Sequence, residues 1–352
     1  MLSSLARIFV AIIPWLVIAS LLYVALFIKP SPVGQTVNPS AIETRDRFYG
    51  GTSPRDGVWW VVGADGKIIR SDDTGESWVV QKAGTDVHLQ DIAAWDDKTA
   101  IAVGNSGTVV RTEDGGRTWS PIEVPSSDIA NKLIDVKAYS DGEAWVVGEF
   151  GNILRTEDFG RSWKQVREPE DMILNEIVRV DDSSLIAVGE FGTILRTADN
   201  GESWTFIDST VGNSITAVDF ADSQTGLAGG LQGVLLGTMN GGVSWFQIDE
   251  SFSPPSGVAE PGTVLRDAWA DFTSEHIFSL RWVASQDLWI ATGAKGIWVT
   301  GARDFSKWQS GRLAEREMGW HTAIVPVGGD LLVTGMNLGI WDMSSWKVIS
   351  GS

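Results

Sequence analysis

The sequence predicts an all-β protein, a seven-bladed β-propeller, preceded by one N-terminal transmembrane helix. Three observations predict it. Five near-copies of one phrase recur at almost constant spacing. Each copy contains short strand-like runs and no helical period. One uncharged apolar run of 21 residues lies near the N-terminus.

The phrases end Ser-Asp-Asp-Thr-Gly-Glu-Ser-Trp78, Thr-Glu-Asp-Gly-Gly-Arg-Thr-Trp119, Thr-Glu-Asp-Phe-Gly-Arg-Ser-Trp163, Thr-Ala-Asp-Asn-Gly-Glu-Ser-Trp204 and Thr-Met-Asn-Gly-Gly-Val-Ser-Trp245. Their tryptophans are 41, 44, 41 and 41 residues apart. A fixed period near 40 residues marks a repeat architecture. Within a unit, Val103 to Arg111 reads as strand, glycine turn, strand, with glycines at both turn edges to tolerate positive φ. Asp114 and its glycines make the next turn, the aspartate bonding backbone amides ahead of it. Trp119 then opens a fourth strand and buries its ring between neighbouring sheets.

Turn glycines count the units: Gly63, Gly104, Gly148, Gly189, Gly230, Gly293 and Gly335. The last two units are degenerate, with Arg303 aligned where the sixth turn aspartate belongs. Seven four-stranded units read as a seven-bladed propeller. Six or eight blades also fit, because the first strand of unit one, somewhere in 45–50, is weak.

The phrase endings match the Asp-box pattern of BNR-type propellers. The longer phrase Val-Gly-x-x-Gly-x-Ile-Leu-Arg-Thr-x-Asp-x-Gly-x-Ser-Trp, at 147–163 and 188–204, resembles the photosystem II stability/assembly-factor-like propellers of bacteria. The resemblance runs over roughly residues 45–350. It implies a non-catalytic scaffold or accessory subunit that stabilises or assembles a membrane-protein complex. In non-photosynthetic bacteria the resemblance suggests an RND-type exporter as that complex. A photosystem II assembly factor proper is an alternative, and so is a sialidase-like envelope glycosidase or glycan-binding propeller. Function has to be argued from a site rather than from the fold.

The chain divides into an anchor at 1–29, a linker at 30–44 and a propeller at 45–352 with an insertion at about 251–277. The uncharged run at 8–28 is one bilayer core long as a helix. It exceeds the usual apolar core of a cleavable signal peptide and lacks an Ala-x-Ala site. The expectation is a single-pass protein of the inner membrane with its propeller in the periplasm. The absence of cysteine fits that compartment. A net charge of −18 argues against nucleic acid, whose binding needs a basic face.

Catalytic signals are weak. The histidines His88, His276 and His321 stand singly, without ligand spacing, so no metal and no cofactor are expected. Of the tyrosines, Tyr49 and Tyr139 lie outside the apolar run and in no catalytic phrase. The aspartates Asp73, Asp114, Asp158 and Asp199, with Trp78, Trp119, Trp163, Trp204 and Trp245, recur in every full unit and therefore build blades. No enzyme activity and no small-molecule substrate are expected.

Partner-binding candidates fall into three groups. Arg70, Arg111, Arg155 and Arg196 hold one place in four successive blades; they read as inter-blade struts paired with an acid of the next blade, whereas the resemblance implies a basic stripe that docks an acidic segment of a membrane-protein client. Glu149-Phe150 and Glu190-Phe191 sit in second-to-third-strand turns, which share one face with the blade-to-blade connections. Trp269 and Phe272 lie in the insertion on that same face. Exposed aromatics there are candidate contacts for an integral membrane partner.

Overall fold

A computed structural model describes residues 12–23, 40–126, 131–248 and 275–349. Residues Ala41–Ser352 form one compact unit and Met1–Ser40 another. In the first unit the described helix covers 12–23. Among the described residues no helix is long and apolar enough to cross a membrane. The rest of the apolar run at 8–28, most of the linker, and Trp269 and Phe272 lie outside the described residues.

The second unit contains seven four-stranded antiparallel sheets, each with its strands in chain order. Blade one is Phe48–Arg55, Val58–Gly63, Lys67–Ser71 and Val79–Lys82; blade seven is His321–Val327, Asp330–Gly335, Gly339–Trp341 and Trp346–Val348. The weak first strand therefore exists and begins at Phe48. The ring closes without a shared strand. Phe48, Val61 and Ile69 of blade one pack with Val325, Val327 and Leu332 of blade seven in one apolar cluster. Similar clusters fill the other seams, such as Val62, Ile68, Leu89, Ile92 and Trp119 between blades one and two.

The inner strand of each blade runs from the connection face to the Asp-box face. Outer strands of blades two to five are only two residues long, for example Ser120–Pro121 and Lys164–Gln165. Short outer strands leave little edge for another chain to pair with.

The turn glycines have two different jobs. Gly104 has φ −167, so it is extended rather than left-handed. A Cβ there would lie 2.2 Å from the His88 carbonyl oxygen, so its job is close approach. Gly107 at the other turn edge has φ 67 and is the one that needs conformational freedom.

The Asp boxes are built as expected. Asp114 Oδ1 accepts from the Thr118 amide at 2.9 Å and Oδ2 from the Thr118 hydroxyl at 2.7 Å. The Thr112 hydroxyl accepts from the Gly116 amide at 2.9 Å. Each box tryptophan immediately precedes its outer strand instead of opening it. In blade six the turn acid is Asp304, not the Arg303 position: Phe305 follows it at φ 63, matching Phe159 at φ 61 after Asp158. Blade seven does the same with Asp342 and Met343, φ 70.

Candidate partner-binding face and central channel

In blades one to six the second-to-third-strand turn carries one left-handed residue other than glycine at its apex, followed by a left-handed glycine. These are Asp65, Ser106, Phe150, Phe191, Gln232 and Lys295, with φ between 53 and 60. Neighbouring contacts brace each turn against the connection that precedes the blade or follows it. Glu149 accepts from the Lys132 amide and Glu190 from the Ile173 amide, both at 3.0 Å. The two glutamates are therefore half-buried turn braces. Two histidines brace differently: His88 Nδ1 accepts from the Asp65 amide at 2.9 Å and His276 Nδ1 from the Gln232 amide at 3.0 Å. Both carry their proton on Nε2 in that role.

The two phenylalanines differ. Phe150 is half-buried, and its carbonyl accepts from the Glu170 amide at 2.9 Å. Phe191 is 79% exposed at φ 53. A bulky residue there carries backbone strain, and an exposed ring gains no burial.

The four arginines are spent inside the fold. Arg70 and Arg111 are 9% and 7% exposed. Each of the four reaches an Asp-box carbonyl of the next blade: Arg70 to Gly115 at 3.2 Å, Arg111 to Phe159, Arg155 to Asn200 at 3.5 Å and Arg196 to Gly241 at 3.1 Å. Acids of the same blade hold the first three from behind, namely Asp72, Glu113, and Glu143 with Glu157. The basic-stripe reading is corrected on this point. These guanidiniums are inter-blade struts on the Asp-box side, opposite the phenylalanine turns. The strut reading expected an acid of the next blade; the partner there is a backbone carbonyl.

A central channel of about 340 Å³ opens among the inner strands. The second residue of each inner strand lines it: Tyr49, Gln90, Ile134, Asn175, Thr216, Phe278 and Thr322, one per blade. Behind them runs a chain of acids that sequence reasoning missed. Asp91 accepts from the Val136 amide, Asp135 from Ile177, Glu176 from Val218 and Asp219 from Trp282, at 2.8–3.2 Å. Each acid thus ties its blade to the next. The signal was an acid at the third position of the inner strand, repeated in Leu89–Ala94, Leu133–Ala138 and Leu174–Arg179.

Two bases answer these acids. Lys137 pairs with Asp135 and with Glu176, and Arg281 pairs with Glu176 at 2.6 Å. Burial pushes the Asp91 carboxyl up to about 8. Burial also raises Asp135 and Asp219. Glu176 moves the other way: burial opposes its charge, but Arg281 and then Lys137 hold it low. Burial works against the charge of Lys137 too, yet Asp135 and Glu176 hold it up.

The tyrosines are placed structurally. Tyr139 lies half-buried under the Arg179 guanidinium, which is 3.8 Å from its ring centroid, and its oxygen accepts from the Arg179 amide at 2.9 Å. Burial pushes its hydroxyl up to about 12, which suits a nucleophile poorly. Tyr49 stacks on Trp320 at 5.8 Å beside the channel. Among the described residues no group of three or more His, Asp or Glu side chains could hold a metal ion.

A ring of four-stranded blades locked by Asp boxes defines a BNR-type propeller. Residues 80–214 match the family model described as Photosynthesis system II assembly factor YCF48. Among solved structures, YCF48 from Cyanidioschyzon merolae is similar at 18% identity and TM-score 0.66, covering 89% of this chain and 99% of that one. A structure described as YCF48 bound to D1 peptide is similar at 17% identity and TM-score 0.65, covering 84% and 92%. The WD40 repeats of RRP9 are similar at 12% identity and TM-score 0.63, covering 88% and 95%. A comparison with curated proteins finds no match. The chain is thus a BNR-type propeller resembling the photosystem II assembly factor.

Proposed function

We propose that this chain is a non-catalytic scaffold that holds a segment of a membrane-protein complex on its turn face. One observation carries the reading. Phe191 is 79% exposed at a left-handed turn apex, where a small or polar residue would cost less. Such an outlier supports a role in contact. The described YCF48 structure, which holds a D1 peptide, supports protein binding as the activity of similar propellers. The apolar run at 8–28 supports tethering to the inner membrane with the propeller in the periplasm. The chain enters the inner strand of blade one at the turn face, the face proposed for the partner.

Within this reading the partner is an RND-type exporter, and photosystem II assembly is the other instance of the same scaffold role. Detergent solubilisation followed by co-purification tests it. The expected result is an integral membrane complex retained by the full chain and lost with Phe191→Asn. Hydrogen-exchange protection at 190–192 on the complex is expected alongside. Protection confined to the Asp-box turns would put the partner on the opposite face and end this reading.

A further inference from the structure

Four uncharged polar residues give the wall of the central channel one shared chemistry. They are Gln90, Asn175, Thr216 and Thr322, all half-buried. Each spends a donor on the wall itself. Asn175 Nδ2 donates to the Ile215 carbonyl at 2.8 Å, the Thr216 hydroxyl to the Ile277 carbonyl at 2.6 Å and the Thr322 hydroxyl to the Tyr49 carbonyl at 2.9 Å. These three partners lie on the next blade of the ring. Gln90 Nε2 donates to Asn105 Oδ1 at 3.0 Å within its own blade.

A backbone carbonyl can only accept, so it fixes which end of the side chain faces it. A threonine hydroxyl has a single proton, and in both threonines that proton is committed. What remains for the lumen is oxygen: Gln90 Oε1, Asn175 Oδ1 and the lone pairs of the two hydroxyls. No protein donor among the described residues reaches any of the four.

Aromatic rings flank this set. Tyr49 of blade one and Phe278 of blade six line the channel on either side of Thr322 of blade seven. Trp320 backs Tyr49, and His276 lies 6.0 Å from Phe278. Both signs of charge stand close by. Lys132 is at the mouth and Arg281 deeper in the wall, so an entering cation meets like charge. Asp91, Asp135 and Glu176 follow directly in sequence the second-position residues of blades two, three and four, so an anion meets like charge too. A neutral molecule escapes both penalties.

We propose that the turn-face mouth of the central channel binds a neutral, hydroxyl-rich ligand of the saccharide class. Its hydroxyls donate to the oxygens of Gln90, Asn175, Thr216 and Thr322, and its C–H face lies on the Tyr49–Phe278 side of the wall, where aromatic faces carry partial negative charge. The cavity of about 340 Å³ lies at the lower end of small-molecule sites and suits a sugar unit or the end of a short glycan. The role is retention of a ligand, not its conversion.

Saturation-transfer NMR on the full chain, in a detergent without a sugar headgroup, reads the binding. The probes are glucose, galactose, N-acetylglucosamine and maltose, each at about 10 mM, a concentration that registers a Kd near about 1 mM. Putrescine and succinate are the charged comparators. Transfer is expected to at least one sugar and to neither comparator. Ile134→Trp fills the lumen without touching the four hydrogen bonds and should abolish the signal. Asn175→Leu should weaken binding about fivefold. Phe278→Ala, with a similar weakening, serves if the tryptophan variant does not fold. Phe191→Asn, altered at the proposed partner contact, should bind sugar as the wild type does. No transfer to any of the sugars, or stronger transfer to putrescine or succinate, overturns the proposal. A sugar signal that survives Ile134→Trp, or one that vanishes in Phe191→Asn, puts the ligand outside the channel and overturns it as well.

Discussion

Arg70 reaches out of blade one and donates through Nη1 to the Gly115 carbonyl, 3.2 Å away in the Asp box of blade two. The same guanidinium lies 4.2 Å from the centroid of the Trp60 ring and is held by Asp72. It therefore couples three things at once: a box turn, a core tryptophan and a seam.

Arg70→Met should then behave as a fold variant. It removes a charge-assisted bond and leaves the Gly115 carbonyl with one donor fewer, a cost of about 1–3 kcal/mol. Gln81 also donates to that carbonyl at 2.9 Å, which favours the lower half of the range. Denaturant midpoints measure the loss. Partner capture by the folded variant should stay unchanged. An Arg70→Met protein with normal stability but no capture would restore the docking-stripe reading.

The blade count was legible because each turn glycine answers a steric demand that no side chain can meet. The strut role of Arg70 and Arg111 was only half legible, since a backbone carbonyl leaves no mark in sequence. Asp304 and Asp342 are hidden in the sequence for a related reason. Their turns close on Ser306 and Ser344 two residues ahead, while full boxes close four residues ahead. His321 looks like a scattered histidine in sequence; only the pairing with Gly335 reveals that it occupies a core position. Phe150 and Phe191 look equivalent in sequence, and burial separates them: Phe150 is half-buried and Phe191 exposed.

Asp114 should set part of the acid stability. Bonds from the Thr118 hydroxyl, first among its partners, hold its carboxyl down at about 2. A carboxyl lowered on folding contributes stability above its unfolded value near 3.8 and loses it as pH falls towards 2. Asp114→Ala should cost about 1–3 kcal/mol at neutral pH through lost turn bonds. Its unfolding midpoint should converge on that of the wild type in strong acid. A variant that stays equally far below the wild type at every pH would mean the charge is irrelevant to the turn.

Asp91 should act with the opposite sign. Burial lifts its carboxyl from 3.8 to about 8, so the folded protein binds that proton more tightly than the unfolded chain. Stability from this group is fully present at low pH and declines as pH rises from about 4 to about 8. Asp91→Asn keeps an acceptor for the Val136 amide while removing the charge. The variant should match the wild type near pH 3 and exceed it increasingly as pH rises, by roughly tenfold or more in the unfolding constant near pH 9. Equal pH profiles for the two proteins would show that Asp91 stays ionised in the channel wall.

Phe191 separates stability from binding most sharply. Its backbone sits at φ 53, and its ring is 79% exposed, so the folded monomer gains little from it. Asparagine tolerates the left-handed region better than a bulky residue does. Phe191→Asn should therefore leave the melting temperature unchanged or raise it, by about 0–1 kcal/mol of stability. At an interface centre the same truncation commonly costs about 2 kcal/mol or more of binding. Phe150→Asn is the comparison, because its side chain is half-buried and its loss should lower stability instead. Thermal melts and partner titration of both variants give four numbers that must diverge in this pattern. If Phe191→Asn melts lower and binds normally, the ring belongs to the fold and the turn face loses its anchor.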